Sequence, residues 1–344
     1  MRFVKASLAL GFTLVAISGF AKQPIGDDTY KIIRTAKVGG EGGFDYVYAD
    51  SDARRLYIAR SGPSPRVSVF DLDTLAAVGE IAKTNARGAA TNAKYYHGFS
   101  SSSPVAMWDS KTLEIVKTIP VEGRPDGILN DDFNNRVYIF SHSAPNVTVI
   151  DAKDGAILGT IDLEGAPEQA ATDGKGHLYV DIEDKDSVGV IDTKTMKVTA
   201  KYSLNGKGGG NAGLALDAKN HVLFVACRTP QVMVMLDANT GKYLADLPIG
   251  RGCDGAAFNP KTNECYSSQG DGTMTIIKEK SPTSFVVDQT LKTMTGAKTC
   301  TFDHKTGKVF LIAAEYGPAP TTTTGRPGRG TLVPASFSII EVGK

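Results

Sequence analysis

Four acids, Asp45, Asp126, Glu168 and Asp254, fall at corresponding places in successive copies of a repeated pattern, and Arg87 and Lys298 occupy the matching places in two further copies. Carboxylates and cations gathered at one opening would make a polar site for a metal ion, a sugar or a charged small ligand, with calcium among the ions such oxygens could take. In Pro125–Gly127 and Cys253–Gly255 the acid stands beside Gly or Pro. Asx-type turn capping would explain such residues with no ligand, so both readings stay open. A second set of positions, Arg60, His142, Glu183, Arg228 and Glu315, falls at the same end of the repeats. His142 is the best lone acid–base candidate there, because imidazole titrates near neutrality.

Other chemistries find little support. His97, His177, His221 and His304 show no metal-ligand spacing, and no Ser, His and Asp stand in a triad-like context. Gly206–Gly210 lacks the Lys-Ser/Thr and the following helix of a phosphate loop.

The elements that must position these residues come from the repeat itself. A short β-branched run ends in Asp, with Thr three residues on: Val67–Asp71 with Thr74, Val105–Asp109 with Thr112, Val188–Asp192 with Thr195, and Met233–Asp237 with Thr240. Val147–Asp151 has Asp154 in the Thr place, Met274–Lys278 replaces the Asp by Lys, and Phe337–Glu341 replaces it by Glu. The anchors are 38, 42, 41, 45, 41 and 63 residues apart, a strand-rich period near 40 that belongs to propellers and not to helical solenoids. Each phrase reads as a third strand whose Asp caps the next turn. Second strands precede it, among them Leu56–Ile58, Val137–Ile139, Leu178–Val180, Leu223–Val225 and Val309–Leu311, and innermost strands such as Gly127–Leu129 and Gly213–Leu216 come before those. The expected fold is all-β: a seven-bladed β-propeller of four-stranded antiparallel blades, one domain over residues 22–344. Blade two, around Thr91–Ser103, is degenerate.

The seventh phrase ends three residues before the last residue, which leaves that blade without an outer strand. Tyr30–Val38 is strand-like and is expected to supply it, closing the ring and removing two open edges. The long last spacing marks an insertion at about 316–334, with four consecutive threonines, Arg326 and Arg329. It should leave the ring at the funnel face, as a functional or a disordered loop. The cysteines are Cys227, Cys253, Cys265 and Cys300. Blade alignment favours a Cys227–Cys253 disulfide, with Cys265 and Cys300 as small buried hydrophobes; four free buried thiols is the open alternative.

Arg2 and Lys5 precede an apolar run from Ala6 to Ile17 and the small-residue stretch Ser18–Ala21. That order is a secretory signal peptide over residues 1–21, so the chain is expected in a periplasmic or extracellular compartment. No later segment is apolar enough to span a bilayer. With 38 basic and 37 acidic residues, the chain offers no strong electrostatic attraction to nucleic acid or anionic membrane.

The repeats, together with Gly123–Gly127, Gly213–Asp217 and Leu311–Pro318, resemble the YncE-like, YVTN-type secreted propellers over essentially the whole mature chain. The resemblance implies fold and export and brings no catalytic motif. Two function classes follow. The first is a monomeric binding protein holding a small molecule or a protein partner at the funnel mouth through Asp45, Arg87, Asp126, His142, Glu168, Arg228, Asp254 and Lys298. The second is a metal-assisted hydrolase, lactonase-like, with the carboxylate ring as ligands. Binding is favoured because no nucleophile–base pair appears, and no motif requires a cofactor.

Overall fold

The computed structural model describes residues 28–318 and 330–344. The expected signal peptide, 1–21, lies outside them. Seven four-stranded antiparallel sheets follow one another along the chain, and the sole helical element among the described residues is a 3-10 turn, Glu183–Lys185. Blade three is typical: Pro125–Asp131, Arg136–Ser141, Val147–Asp151 and Ile157–Ile161 run outward from the axis in order. Its third strand is buried along Val147–Ile150, whereas the outermost strand is largely exposed. No helix of the described residues is long and apolar enough to cross a membrane.

The repeat phrase does what its residue types dictate. The Asp71 carboxylate accepts hydrogen bonds from the Thr74 backbone N–H and hydroxyl, both at 2.8 Å, and Asp192 and Asp237 repeat the arrangement with Thr195 and Thr240. In blades one to five the phrase thus ends its strand and fixes the turn into the next. Lys278, which cannot accept, instead lies within a longer hairpin of two nine-residue strands, Thr273–Ser281 and Ser284–Lys292.

Ring closure follows the expected route. Lys31–Lys37 pairs antiparallel with Ser338–Gly343, so the N-terminal segment is the outer strand of blade seven. Between blades seven and one, Phe310, Phe337 and Ile339 pack with Leu56, Ile58 and Phe70, all buried. Side chains of this size contribute about 1.5–3 kcal/mol each when withdrawn from water.

Blade two has all four strands, though the inner two, Ala89–Asn92 and His97–Ser100, have only four residues each. Trp108 is fully buried and packs with Tyr57, Ala59 and Val67 of blade one. A Cβ on Gly98 would lie 2.1 Å from the indole, so only glycine fits. The inserted segment of blade seven leaves on a two-stranded stem: Gly317 donates to the Thr331 carbonyl and Val333 to that of Glu315. This stem follows the second strand, Val309–Ala313, at the end of the ring where the innermost strands begin. Residues 319–329 of the expected loop lie outside the described residues.

The expected Cys227–Cys253 bridge requires correction, because all four cysteines are free, buried thiols. The two side chains face opposite sides of blade five. Cys227, on blade five, packs with Val188, Leu214 and Val234 toward blade four, and Cys253, on blade six, packs against Ala226 and Met233 on the opposite side of blade five. Side-chain vectors that diverge across a sheet cannot be joined by a disulfide. Burial pushes both thiols up, Cys253 to about 12, so both remain protonated.

Candidate functional site

The site is built where the innermost strands begin. In blades one, three, four, five and six the pairing register shifts at that point, between Phe44 and Val47, Pro125 and Ile128, Pro167 and Ala170, Asn211 and Gly213, and Cys253 and Gly255. Such bulges bend a strand and re-aim a side chain. Asp45, Asp126, Glu168 and Asp254 lie at four of these shifts. The glycines beside the acids have a packing reason: a Cβ on Gly127 would lie 3.0 Å from the Glu168 carbonyl oxygen, and one on Gly255 3.0 Å from the Cys300 nitrogen. Neighbouring innermost strands approach too closely there for a side chain. None of the four carboxylates accepts a backbone N–H among the described residues, so turn capping does not account for them.

All eight residues singled out from the sequence line one cavity of about 250 Å³ at the channel mouth, joined by Arg124 and Pro125. Every blade contributes: Asp45 from one, Arg87 from two, Asp126 and His142 from three, Glu168 from four, Arg228 from five, Asp254 from six and Lys298 from seven. Below it the channel continues as a second space of about 310 Å³, lined by Tyr46, Tyr48, Leu129, Gln169 and Phe302 among others.

The mouth has two arcs. In the first, the charges are mutually paired. Arg87 meets Asp45 at 3.0 Å, Lys298 lies 3.9 Å from Asp45 and also binds Asp254, and Arg228 bridges Asp254 and Glu183. Opposed burial and attraction leave both Lys298 and Arg228 shifted upward, more firmly cationic than usual.

In the second arc, two carboxylates face a histidine, and no lysine or arginine among the described residues is bonded to either. His142 Nε2 lies 3.6 Å from Asp126 Oδ2 and 3.5 Å from Glu168 Oε1. One donor atom from each residue lies within 4.8 Å of the other two. The Nε2 atom is buried without a hydrogen-bond partner among the described residues. Glu168 is 7 % exposed; its carboxylate also accepts from the Tyr46 hydroxyl at 3.1 Å. Burial, opposed by His142 and reinforced by the Asp126 charge, raises Glu168 to about 6. Burial likewise raises Asp126. His142 is raised chiefly by Glu168, against its own burial and the Arg124 guanidinium. The Arg124 Nη2 lies 3.0 Å from His142 Nδ1. A guanidinium only donates, so Nδ1 accepts and the neutral ring carries its proton on Nε2, between the carboxylates.

Several residues at this end of the ring serve the fold instead. Arg60 is 1 % exposed, donates to the Gly39, Gly40 and Glu41 carbonyls and stacks on Phe337 at 3.7 Å. Asn211 is fully buried and holds Asp181 at 2.8 Å. Glu315 pairs with Lys37 at the surface. Sequence reasoning missed Arg124 and Tyr46. Each adjoins a recognised position, Arg124 in the turn before Pro125–Asp126 and Tyr46 one residue after Asp45, and adjacency was the available signal.

No family model matches the chain, and no curated protein matches it. Among solved structures, a chain in the crystal structure of the mitotic checkpoint complex superposes with a TM-score of 0.71 at 13 % identity, covering 89 % of this chain and 95 % of that one. A likeness at this identity shows the propeller fold alone, an architecture commonly used as an interaction scaffold.

Proposed function

We propose that this protein is an exported propeller of the YncE-like kind that binds a small polar ligand at the funnel mouth. The observation that carries the reading is the convergence of side chains from all seven blades on one cavity of about 250 Å³. A fold needs no such gathering of buried charge, since desolvating each group costs free energy that a ring of apolar side chains would avoid. The basic-then-apolar order of residues 2–21 supports export. The test is calorimetry with a panel of sugars, amino acids and dicarboxylates on the mature protein. A ligand should bind one per chain, and the doubly substituted Asp126→Asn, Glu168→Gln protein should lose it while remaining folded. Loss of stability in that variant, with no ligand bound by the wild type, overturns the reading.

A second reading, hydrolysis, is favoured by one feature: Glu168 at about 6 beside a raised His142 gives a proton donor and acceptor near neutral pH. Turnover of lactones or esters that disappears in His142→Ala would select it over simple binding.

A further inference from the structure

We propose that Asp126, His142 and Glu168 form a binding site for a divalent ion of the zinc class. The inference deepens the reading of the mouth as a ligand site and rests on it. The first argument is geometric. An ion held about 2.0–2.1 Å from each ligand atom in a tetrahedron sets those atoms about 3.4 Å apart. His142 Nε2 stands 3.6 and 3.5 Å from the two carboxylate oxygens, long for hydrogen bonds and close to the edges of that tetrahedron. The second argument is that the central atom is an orphan: Nε2 is buried and has no hydrogen-bond partner among the described residues, a state that costs free energy unless something occupies the space it faces. The third is electrostatic. Asp45 and Asp254 are neutralised by Arg87, Lys298 and Arg228, whereas no lysine or arginine among the described residues is bonded to the carboxylates of Asp126 and Glu168. A divalent charge would supply what that arc lacks.

The donor set selects the ion. One imidazole nitrogen and two carboxylates suit zinc or manganese, while calcium prefers six or more oxygens. The cavity's exposed side leaves room for water or a ligand to complete the coordination, as in an open site.

Arg124 has a definite part. It holds His142 with the proton on Nε2, the nitrogen the ion must use. Ligation therefore moves that proton to Nδ1 and turns Arg124 away. Arg124 is exposed, so its withdrawal costs little. The arginine acts as a competitor for the histidine, and removing it should strengthen ion binding.

The experiment uses the mature protein stripped with a chelator and titrated calorimetrically with zinc, manganese or calcium chloride, each alone. Zinc should bind one per chain, at least tenfold more tightly than calcium. His142→Ala and Asp126→Asn should each weaken zinc at least tenfold, and Arg124→Met should bind it as tightly as the wild type or more so. Equal zinc affinity in the wild type and His142→Ala would mean adventitious binding elsewhere and sinks the proposal, as does the absence of zinc binding by the wild type. A small organic ligand that binds the chelator-stripped protein at Asp126 and Glu168, with no zinc bound, overturns this inference while leaving the ligand-site reading intact. If neither zinc nor any panel ligand binds, both fail.

Discussion

The two arcs of the mouth occupy equivalent blade positions and yet differ in kind. Asp254 and Asp126 each precede a glycine at a bulged start of an innermost strand. Asp254 is clasped by Lys298 and Arg228, while Asp126 faces His142 with no cation bonded to it among the described residues. The same backbone device therefore yields a self-neutralised cluster on one side and carboxylates short of positive charge on the other. A repeat fold supplies equivalent positions, and chemistry depends on which side chains the neighbouring blades extend toward them. The paired arc stabilises; the histidine arc stores unfavourable desolvation that a ligand can relieve.

The largest expected effect separates these roles directly. Asp254→Ala removes the anion shared by two cations that remain partly buried. It should lower unfolding free energy by about 2–3 kcal/mol in urea titration, because breaking such a pair leaves charge uncompensated. A change near zero would mean that the paired arc contributes no more than surface ion pairs do.

The histidine arc should behave oppositely. Glu168 is raised in the folded state, from 4.5 to about 6. Its contribution is therefore fully present below its unfolded value and is lost as pH rises through about 6. His142 is also raised, so the stability it gains from Glu168 is present below its ordinary value of 6.5 and lost above its folded value. Both residues make this arc less favourable in alkali. Between acid and mildly alkaline solution the wild type should lose about 1–2 kcal/mol from Glu168, and Glu168→Gln should flatten the profile and equal or exceed wild-type stability at about pH 8. Unfolding midpoints measured across that range decide it, and an unchanged slope in the variant would erase the distinction between the arcs.

The smallest effect concerns the rim of the paired arc. The Arg87 side chain is 55 % exposed where it meets Asp45. Arg87→Met should change stability by no more than about 0.5 kcal/mol, and salt should reduce even that. A cost comparable to that of Asp254→Ala would show that the whole arc acts as one cooperative network.

Legibility in the sequence followed the locality of the cause. The Asp-and-turn phrase could be read because Asp71 and Thr74, or Asp237 and Thr240, act over three residues. The equivalence of Asp45, Asp126, Glu168 and Asp254 could be read because each stands at a fixed offset from a strand that the repeat identifies. Closure by Lys31–Lys37 could be read from a missing strand at one end and a spare one at the other. The side to which each cysteine points was not legible. Cys227 and Cys253 were rightly placed on adjacent blades, but the sheet of blade five stands between their side chains. Arg60 looked like a mouth residue by its offset, yet it turns toward Phe337 and three carbonyls.

By itself, then, the sequence determined seven blades, their order, the closing strand and most of the residues brought to one mouth. Period and alternation are properties of short segments, and a closed ring converts equal offsets into equal heights around the axis. The tertiary structure alone decided which charge meets which. Whether Asp126 finds a lysine or a histidine depends on ångström-scale approaches between blades some forty residues apart, and on bulges that turn each side chain through the sheet. Electrostatic energy varies steeply with those distances and with burial, so pairing, tautomer and pKa belong to the folded arrangement and not to the repeat that builds it.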